Sequence, residues 1–587
     1  MGRAFLYIFA VIGGLSLIAF LGVVTVVVIA FHAAPKPTPL PAKIILSADL
    51  DQDLAEGPGP DVVSRTLFGD KMTLRDFLDA LEKAGDDPRV KGVYARLGDD
   101  SLGLARVQEV RDAIAAFRAK GKFAIAFADT FGEFGPATRP YYLATAFDQI
   151  WLQPMGDVGL TGLYTETPFL KDTLQKIGVA ADFDHRSEYK SAMNSLTEDS
   201  MTGPQREETE GLLDSLDGQI VHDISVARKI SEPDLRAAID RAPLFADDAL
   251  SAHLVDKLGY RDEAIAAAER RAGGGASFVA LSRYLDRAGR PNDRGIKIAL
   301  VDGDGMITRE GTGGSLINEN GFDAQKVAKA LRDAIADKEV RAILFRIDSP
   351  GGSVVASETV WREIDRAHRN GKPVVVSMGD VAASGGYYIA APADKIVAEP
   401  ATLTGSVGVL AGKIVLTGLM QKLGVNFTAI GHGANAGMFS AVDDFSPEAK
   451  QRLSDMLDRI YAGFKDHVAS GRRLTPDAVE AIAKGRVWSG EDAKKNGLVD
   501  ALGGYEVALK LTKEAAEIPA DAPVDLVTFP ARKNPVTEFI DRIAGKDKDD
   551  RGMVGSRFAG LVALIERVGA LAAAPGTVEM PRIGEIR

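Results

Sequence analysis

A serine followed by two glycines stands at residue 384, within Val381-Ala382-Ala383-Ser384-Gly385-Gly386-Tyr387-Tyr388, and the apolar run 373–378 precedes it. This order of residue types puts a hydroxyl at a strand-to-helix turn, where a nucleophile works well. The glycines let a substrate approach the backbone closely, and the first N–H groups of the following helix lack intrahelical partners and face charge developing beside the hydroxyl. Ser-Gly-Gly also opens ordinary helices, so chemistry here requires a second group. The chain contains its own comparison. Tyr141-Tyr142 and Tyr387-Tyr388, Gly159 and Gly405, Gln175-Lys176 and Gln421-Lys422, and Gly178-Val179 and Gly424-Val425 all lie 246 apart, with Gly121-Lys122 and Gly371-Lys372 250 apart and Val255-Asp256 and Val499-Asp500 244 apart. So steady an offset means two copies of one domain. In that register Ser384 falls opposite Thr138, which is followed by Arg139-Pro140, so the first copy lacks the nucleophile. Lys190, in Glu188-Tyr189-Lys190-Ser191-Ala192, falls within a residue of Ala436 and Gly437, which cannot abstract a proton. The copies carry complementary halves of a site. A lysine of ordinary pKa about 10.4 must lose roughly 4–5 kcal/mol of preference for its charged form to act as a base near pH 7. Burial at a seam between two domains supplies that.

Tyr189-Lys190-Ser191-Ala192 in the first repeat, with Asp348-Ser349-Pro350-Gly351-Gly352, Ala383-Ser384-Gly385-Gly386 and Thr404-Gly405-Ser406-Val407-Gly408-Val409 in the second, resembles the signal peptide peptidase A family in its long, tandem form. The resemblance runs from about Lys43 to Leu509. It implies an α/β fold of two tandem Clp protease/crotonase-like domains preceded by one N-terminal transmembrane helix, and serine peptidase activity through a Ser–Lys dyad. Ser384 would be the nucleophile, Lys190 the general base and Ser406 the hydroxyl orienting the lysine, with the N–H groups of Gly352 and Gly385 forming the oxyanion hole. The implied substrates are cleaved signal peptides and similar short apolar peptides. The implied assembly is a homotetramer in the bacterial inner membrane with its catalytic body on the periplasmic side, without cofactor or metal. One departure is visible, because the family often continues after its lysine motif with an acidic residue and a proline, where this chain has Met193-Asn194-Ser195-Leu196.

The elements that must hold these residues alternate in the second repeat: strand 296–302, helix 323–338, strand 342–347, helix 355–369, strand 374–378, the helix opened by Ser384, and strand 395–398, a sequence of α/β units. The first repeat spans residues 42–290 and the second 291–532. Residues 5–31 form 27 positions without a charged side chain, long enough to cross a hydrocarbon core of about 30 Å. The flanking charges, Arg3 before and Lys36 and Lys43 after, hardly decide its orientation, and His32-Ala33-Ala34-Pro35 leaves cleavage after the span open. A proline-rich spacer follows to residue 41, and residues 533–587 read as a linker and an amphipathic helix built on Phe558, Leu561, Leu564, Ile565, Val568 and Leu571. A net charge of -12 without a basic stripe argues against a nucleic-acid partner, and the absence of cysteine excludes thiol catalysis and thiolate metal sites.

Other groups read as structural. No histidine lies between His368 and His432, where a Clp-type base would stand, and His185 and His432 occupy similar places in the two repeats, as a shared structural role would explain. Asp348 reads as a turn residue bonding local backbone, Ser349 and Ser353 as flanks of an oxyanion donor, and Lys372 and Lys395 as solvated strand ends. Two other readings stay open: a crotonase-like acyl-CoA enzyme, which shares paired oxyanion donors, and a catalytically silent membrane scaffold.

Overall fold

The structure, a computed structural model, describes residues 39–57, 72–99, 101–309 and 321–530 and the backbone of Thr577–Glu579. The apolar run 5–31 and the expected helix around 558–571 lie outside the described residues, and among the described residues no helix is long and apolar enough to cross a membrane.

Near-continuous apolar runs such as Phe123–Ala128, buried at all six positions, form strands covered on both faces, which is how parallel sheets are built. The first sheet has the order Lys257–Leu258, Gln149–Leu152, Phe123–Ala128, Val90–Arg96, Ile44–Asp49, Ser277–Ala280, all parallel. The second repeats this order with Ala501–Leu502, Lys395–Ala398, Val374–Ala383, Val340–Ser349, Ile296–Asp304 and Val524–Phe529, these six all parallel, and adds Leu403–Gly405 with Val487–Ser489 antiparallel to it. The chain is thus a two-repeat α/β fold. Single bonds repeat as well. Tyr141 Oη donates to Leu254 O at 2.8 Å and Tyr387 Oη to Leu498 O at 2.9 Å, while Asp256 accepts from Ile150 N and Asp500 from Ile396 N, both at 2.7 Å.

One strand is longer than its apolar run predicts. Val374–Ala383 pairs with Lys395–Ala398 through residues 375–377 and then changes neighbour, pairing with Leu403–Gly405 through residues 381–383. The extra length carries Ser384 past the sheet. The solvated role expected for Lys372 does not hold: its Nζ donates to Ala334 O at 2.9 Å and Asp337 O at 2.5 Å, sealing a helix C-terminus whose carbonyls have no intrahelical donor. Lys122 does the same in the first repeat, toward Asp87 O and Val90 O. Nor do the two histidines share a role. His185 lies in the strand Ala180–Arg186 with Nδ1 2.7 Å from Ser187 O, whereas His432 is exposed outside any described element.

Of the many connections between the repeats, two frame the seam. Ala180–Arg186 of the first pairs antiparallel with Val409–Val415 of the second. Deeper, the fully buried Arg346 reaches from the second sheet to Glu56 at 2.7 Å and Glu109 at 2.8 Å in the first repeat, bonds Ser377 Oγ at 2.9 Å, and lies 4.6 Å from the Tyr505 ring. A cation so buried persists only with charged partners.

Candidate active site

The sharp turn expected at residue 384 is present. The strand Val374–Ala383 ends, Ser384 takes φ 55 and ψ -116, and the helix Gly385–Ala390 begins. A left-handed non-glycine residue costs of order 1–3 kcal/mol and marks a place where the surroundings hold the backbone. Here they hold it through Ser384 N–H, which donates to Gly405 O at 2.8 Å, and Ser384 O, which accepts from Tyr388 N at 2.8 Å. In the first repeat the helix Thr138–Ala144 is capped by Ala137, whose N–H donates to Gly159 O at 2.7 Å, the counterpart of Gly405. The residue opposite Ser384 is therefore Ala137 and not Thr138. One extra residue separates this cap from the tyrosine pair, so the constant offset misses by one. Thr138 Oγ1 is turned away, donating to Gly162 O.

Lys190 arrives from the other repeat. It follows the strand Ala180–Arg186 through a turn in which Tyr189 N–H donates to Lys484 O at 3.1 Å. Lys190 Nζ lies 2.9 Å from Ser384 Oγ, 2.9 Å from Ser406 Oγ and 3.2 Å from Ser406 O. Lys190 is 1% exposed and both serines 0%. Ser406, at φ 51, is held by its N–H to Arg486 O at 2.7 Å, and its hydroxyl donates to Gly485 O at 3.3 Å. The three side chains meet.

Gly352 and Gly385 are adjacent. A Cβ built on Gly385 would sit 3.2 Å from Gly352 N and 2.7 Å from Ser357 Oγ, and one on Gly352, at φ 149, would strike Ile307 O at 2.2 Å. Both positions exclude a side chain. The neighbouring hydroxyls are engaged elsewhere: Ser349 Oγ accepts from Gly351 N, and Ser353 Oγ caps the helix Val354–Arg369 through Ala356 N. Asp348 departs from its expected local role. It bridges strands, accepting from Val381 N at 3.0 Å, and burial together with the nearby Asp380 pushes its carboxyl far above the usual range.

Sequence reasoning missed two residues here. Gly485 has φ 83, and a Cβ there would lie 2.6 Å from Lys190 N, so only glycine admits the lysine's backbone. Glu208, 2% exposed, accepts from Val487 N at 2.5 Å; burial raises its carboxyl to about 8 against the opposing effects of that bond and of Lys190's charge. Neither carried a sequence signal, since each contacts residues more than 200 positions away. A buried amine within bonding distance of a buried, strained serine hydroxyl, beside two converging glycines, is equipped for acyl transfer.

Peptidase family S49 matches residues 116–274 and 366–519. "Serine protease SPPA, chloroplastic" from Arabidopsis thaliana is 31% identical over 493 residues, spanning 82% of this chain and 71% of its own. "Protease 4" from Salmonella typhi is 34% identical, covering 78% of this chain and 75% of its own, and "Protease 4" from Haemophilus influenzae is 30% identical, covering 86% and 85%.

Proposed function

This chain belongs to peptidase family S49 and is a serine peptidase, and from that premise we propose that it cleaves peptides through Ser384 and Lys190. The observation carrying this assignment is the 2.9 Å approach of Lys190 Nζ to Ser384 Oγ from opposite repeats. The neutral amine takes the hydroxyl proton as Oγ attacks the scissile carbonyl carbon. The oxyanion formed faces the N–H groups of Gly352 and Gly385. Collapse breaks the C–N bond, with the lysine ammonium giving its proton to the leaving amine. Water then attacks the acyl-enzyme, Lys190 accepting its proton, and collapse breaks the C–Oγ bond as the ammonium returns that proton to Oγ, releasing the carboxylic product and restoring serine and amine. Ser406 holds the amine in line.

An extended peptide is the fitting substrate class. The strand Gly351–Ser353 keeps an edge that takes an antiparallel strand, and the chain's own Thr577–Glu579 pairs there, Gly352 opposite Val578. Signal peptides released by preprotein processing, short and apolar, suit such an edge. The reading includes Clp protease/crotonase-like domains at residues 42–290 and 291–532, an anchor over 5–31 in the bacterial inner membrane with the body on the periplasmic side, and a homotetramer. The apolar run supports the anchor and the two matched segments support the two domains, while sidedness and assembly follow the resemblance. A serine-directed acylating probe tests the assignment: mass spectrometry should find the adduct on Ser384, and none on Ser384 in the K190A variant. Labelling at another serine, or none, would overturn it.

A further inference from the structure

Lys190 and Ser406 are set by one short segment of the second repeat, and that segment is fastened from the first. After the left-handed Lys484 and Gly485, at φ 60 and 83, the chain enters the strand Val487–Ser489. This strand pairs antiparallel with Leu403–Gly405 and forms an edge of its sheet among the described residues. Lys484 O accepts from Tyr189 N at 3.1 Å, and Gly485 packs against the backbone of Lys190. Arg486 O accepts from Ser406 N at 2.7 Å, and Gly485 O from Ser406 Oγ at 3.3 Å. The same three residues thus fix the base and the hydroxyl that orients it. The next N–H, that of Val487, leaves the sheet edge toward the helix Gly203–Arg228 of the first repeat, where Glu208 Oε1 accepts it at 2.5 Å. Val487 is 1% exposed, and a buried N–H without an acceptor is costly. Here the acceptor comes from the opposite repeat.

This bond is made at one of the two places where the repeats could hold it. An offset of 244 relates the helix caps Thr202 and Ser446, Arg228 and Arg472, and Val255-Asp256 and Val499-Asp500. At that offset Val487 corresponds to Pro243 and Glu208 to Arg452. The strand pairing agrees, since Leu244 pairs with Val158 as Trp488 pairs with Thr404. Proline has no N–H to donate, and a guanidinium, exposed here on the helix Pro447–Arg472, cannot accept. The donor is present only in the repeat that carries Ser384 and the acceptor only in the repeat that carries Lys190. A bond required for the fold alone would serve both copies, whereas this one occurs beside the reactive serine only.

We infer that Glu208 is a positioning residue for the peptidase site, its carboxyl holding residues 484–487 so that Ser406 and Lys190 stay in line with Ser384. The inference rests on the dyad proposed above and adds a residue that touches neither substrate nor reacting atoms. Glu208 also acts through charge. The charged groups facing it are Lys190, from the turn after Ala180–Arg186, and Arg486, whose guanidinium is already paired with Glu207 at 2.8 Å. A protonated Glu208 leaves the neutral amine of Lys190 undisturbed, whereas its carboxylate favours the ammonium and raises the pH at which the base works.

Two variants of the full chain separate the two effects. E208Q keeps an oxygen acceptor and cannot ionise, while E208M keeps the volume and has no oxygen. On a fluorogenic peptide, E208M should lower kcat about 10- to 100-fold with KM held, the range that a misplaced catalytic group costs, and E208Q should recover most of that loss. The rising limb of kcat against pH should move to lower pH in E208Q, because the amide cannot become the anion that stabilises the ammonium. In an S406A background the loss from E208M should shrink severalfold, since part of it passes through Ser406. Parental kcat in E208M, equal losses in E208M and E208Q, an undiminished loss in S406A, or an E208Q limb at the parental pH would each overturn the positioning role. Should E208M fail to fold, the limb of E208Q decides alone. K190M with parental turnover would overturn the dyad and this inference together, whereas an inactive K190M beside an E208M of parental turnover overturns this inference and leaves the dyad standing.

Discussion

Lys190 and Ser384 come from different repeats, and a double-variant cycle across that seam reads whether they act as one unit. The perturbations are K190M, which keeps the length and apolar stem of the side chain but removes the amine, and S384A. With Nζ 2.9 Å from Oγ and the lysine 1% exposed, the amine has no solvent route to a substrate, so its contribution passes through the serine hydroxyl. General-base assistance is worth about 10²–10⁴-fold, or roughly 3–5 kcal/mol of transition-state stabilisation. Each single variant should therefore lose at least that factor in kcat/KM on a fluorogenic peptide, measured under single-turnover conditions. The double variant should lose no more than the worse single one, because residues acting as a unit are grossly non-additive. The coupling energy then equals nearly the whole loss from K190M. Circular dichroism melting and sedimentation must match the parent for the comparison to hold. A double variant whose loss is the product of the single losses would refute the dyad and assign the two groups independent roles.

S406A should lower kcat while leaving measurable activity, since Lys190 keeps its bond to the Ser406 carbonyl at 3.2 Å; parental turnover would reduce Ser406 to a structural role. E208Q tests the buried carboxylate. Its folded pKa of about 8 exceeds the ordinary 4.5, so the folded state holds the proton more tightly and its contribution to stability is full below about 4.5 and lost as pH rises to about 8. The shift corresponds to an upper bound of about 5 kcal/mol, and urea titrations of E208Q should show a shallower fall in stability across that window, an identical slope counting against the assignment. Deleting residues 577–587 uncovers the strand edge at Gly351–Ser353 and should lower KM for peptides with kcat held, and an unchanged KM would mean the tail does not compete for that edge. Activity should rise with pH on a limb that replacing His185 or His432 leaves in place, because the working base is the neutral amine of Lys190; loss of the limb in a histidine variant would sink that choice.

What could be read from the sequence followed the range over which each signal acts. Lys395–Ala398 matches its expected strand to the residue and Val354–Arg369 its helix within one, because local apolar patterning and a serine cap define them. The half-strand 379–383 has no such pattern, containing Gly379 and Asp380, and exists because Leu403–Gly405 pairs with it. Ser384 and Lys190 emerged from comparing the repeats, which registers what each copy lacks. Glu208 and Gly485 were invisible because their roles are set by Val487 and Lys190, brought near only by the fold. The misplacement of Ala137 shows the limit of a constant offset, since one inserted residue at a cap leaves the tyrosines in register and shifts the position that matters.

The buried guanidinium of Arg346 has a consequence for how this gene can change. Its two carboxylate partners, Glu56 and Glu109, belong to the first repeat, while the arginine belongs to the second. Replacing Glu56 or Glu109 within the intact chain would leave the buried cation short of a partner, and breaking such a pair from one side costs about 3–5 kcal/mol, a large share of the stability of an ordinary domain, whereas a lone second repeat would expose Arg346 as its partners are lost. Together with the division of serine and lysine between the halves, this makes the fusion a ratchet. Each half lacks what the other supplies, so a self-sufficient single repeat would require several coordinated substitutions and not one deletion.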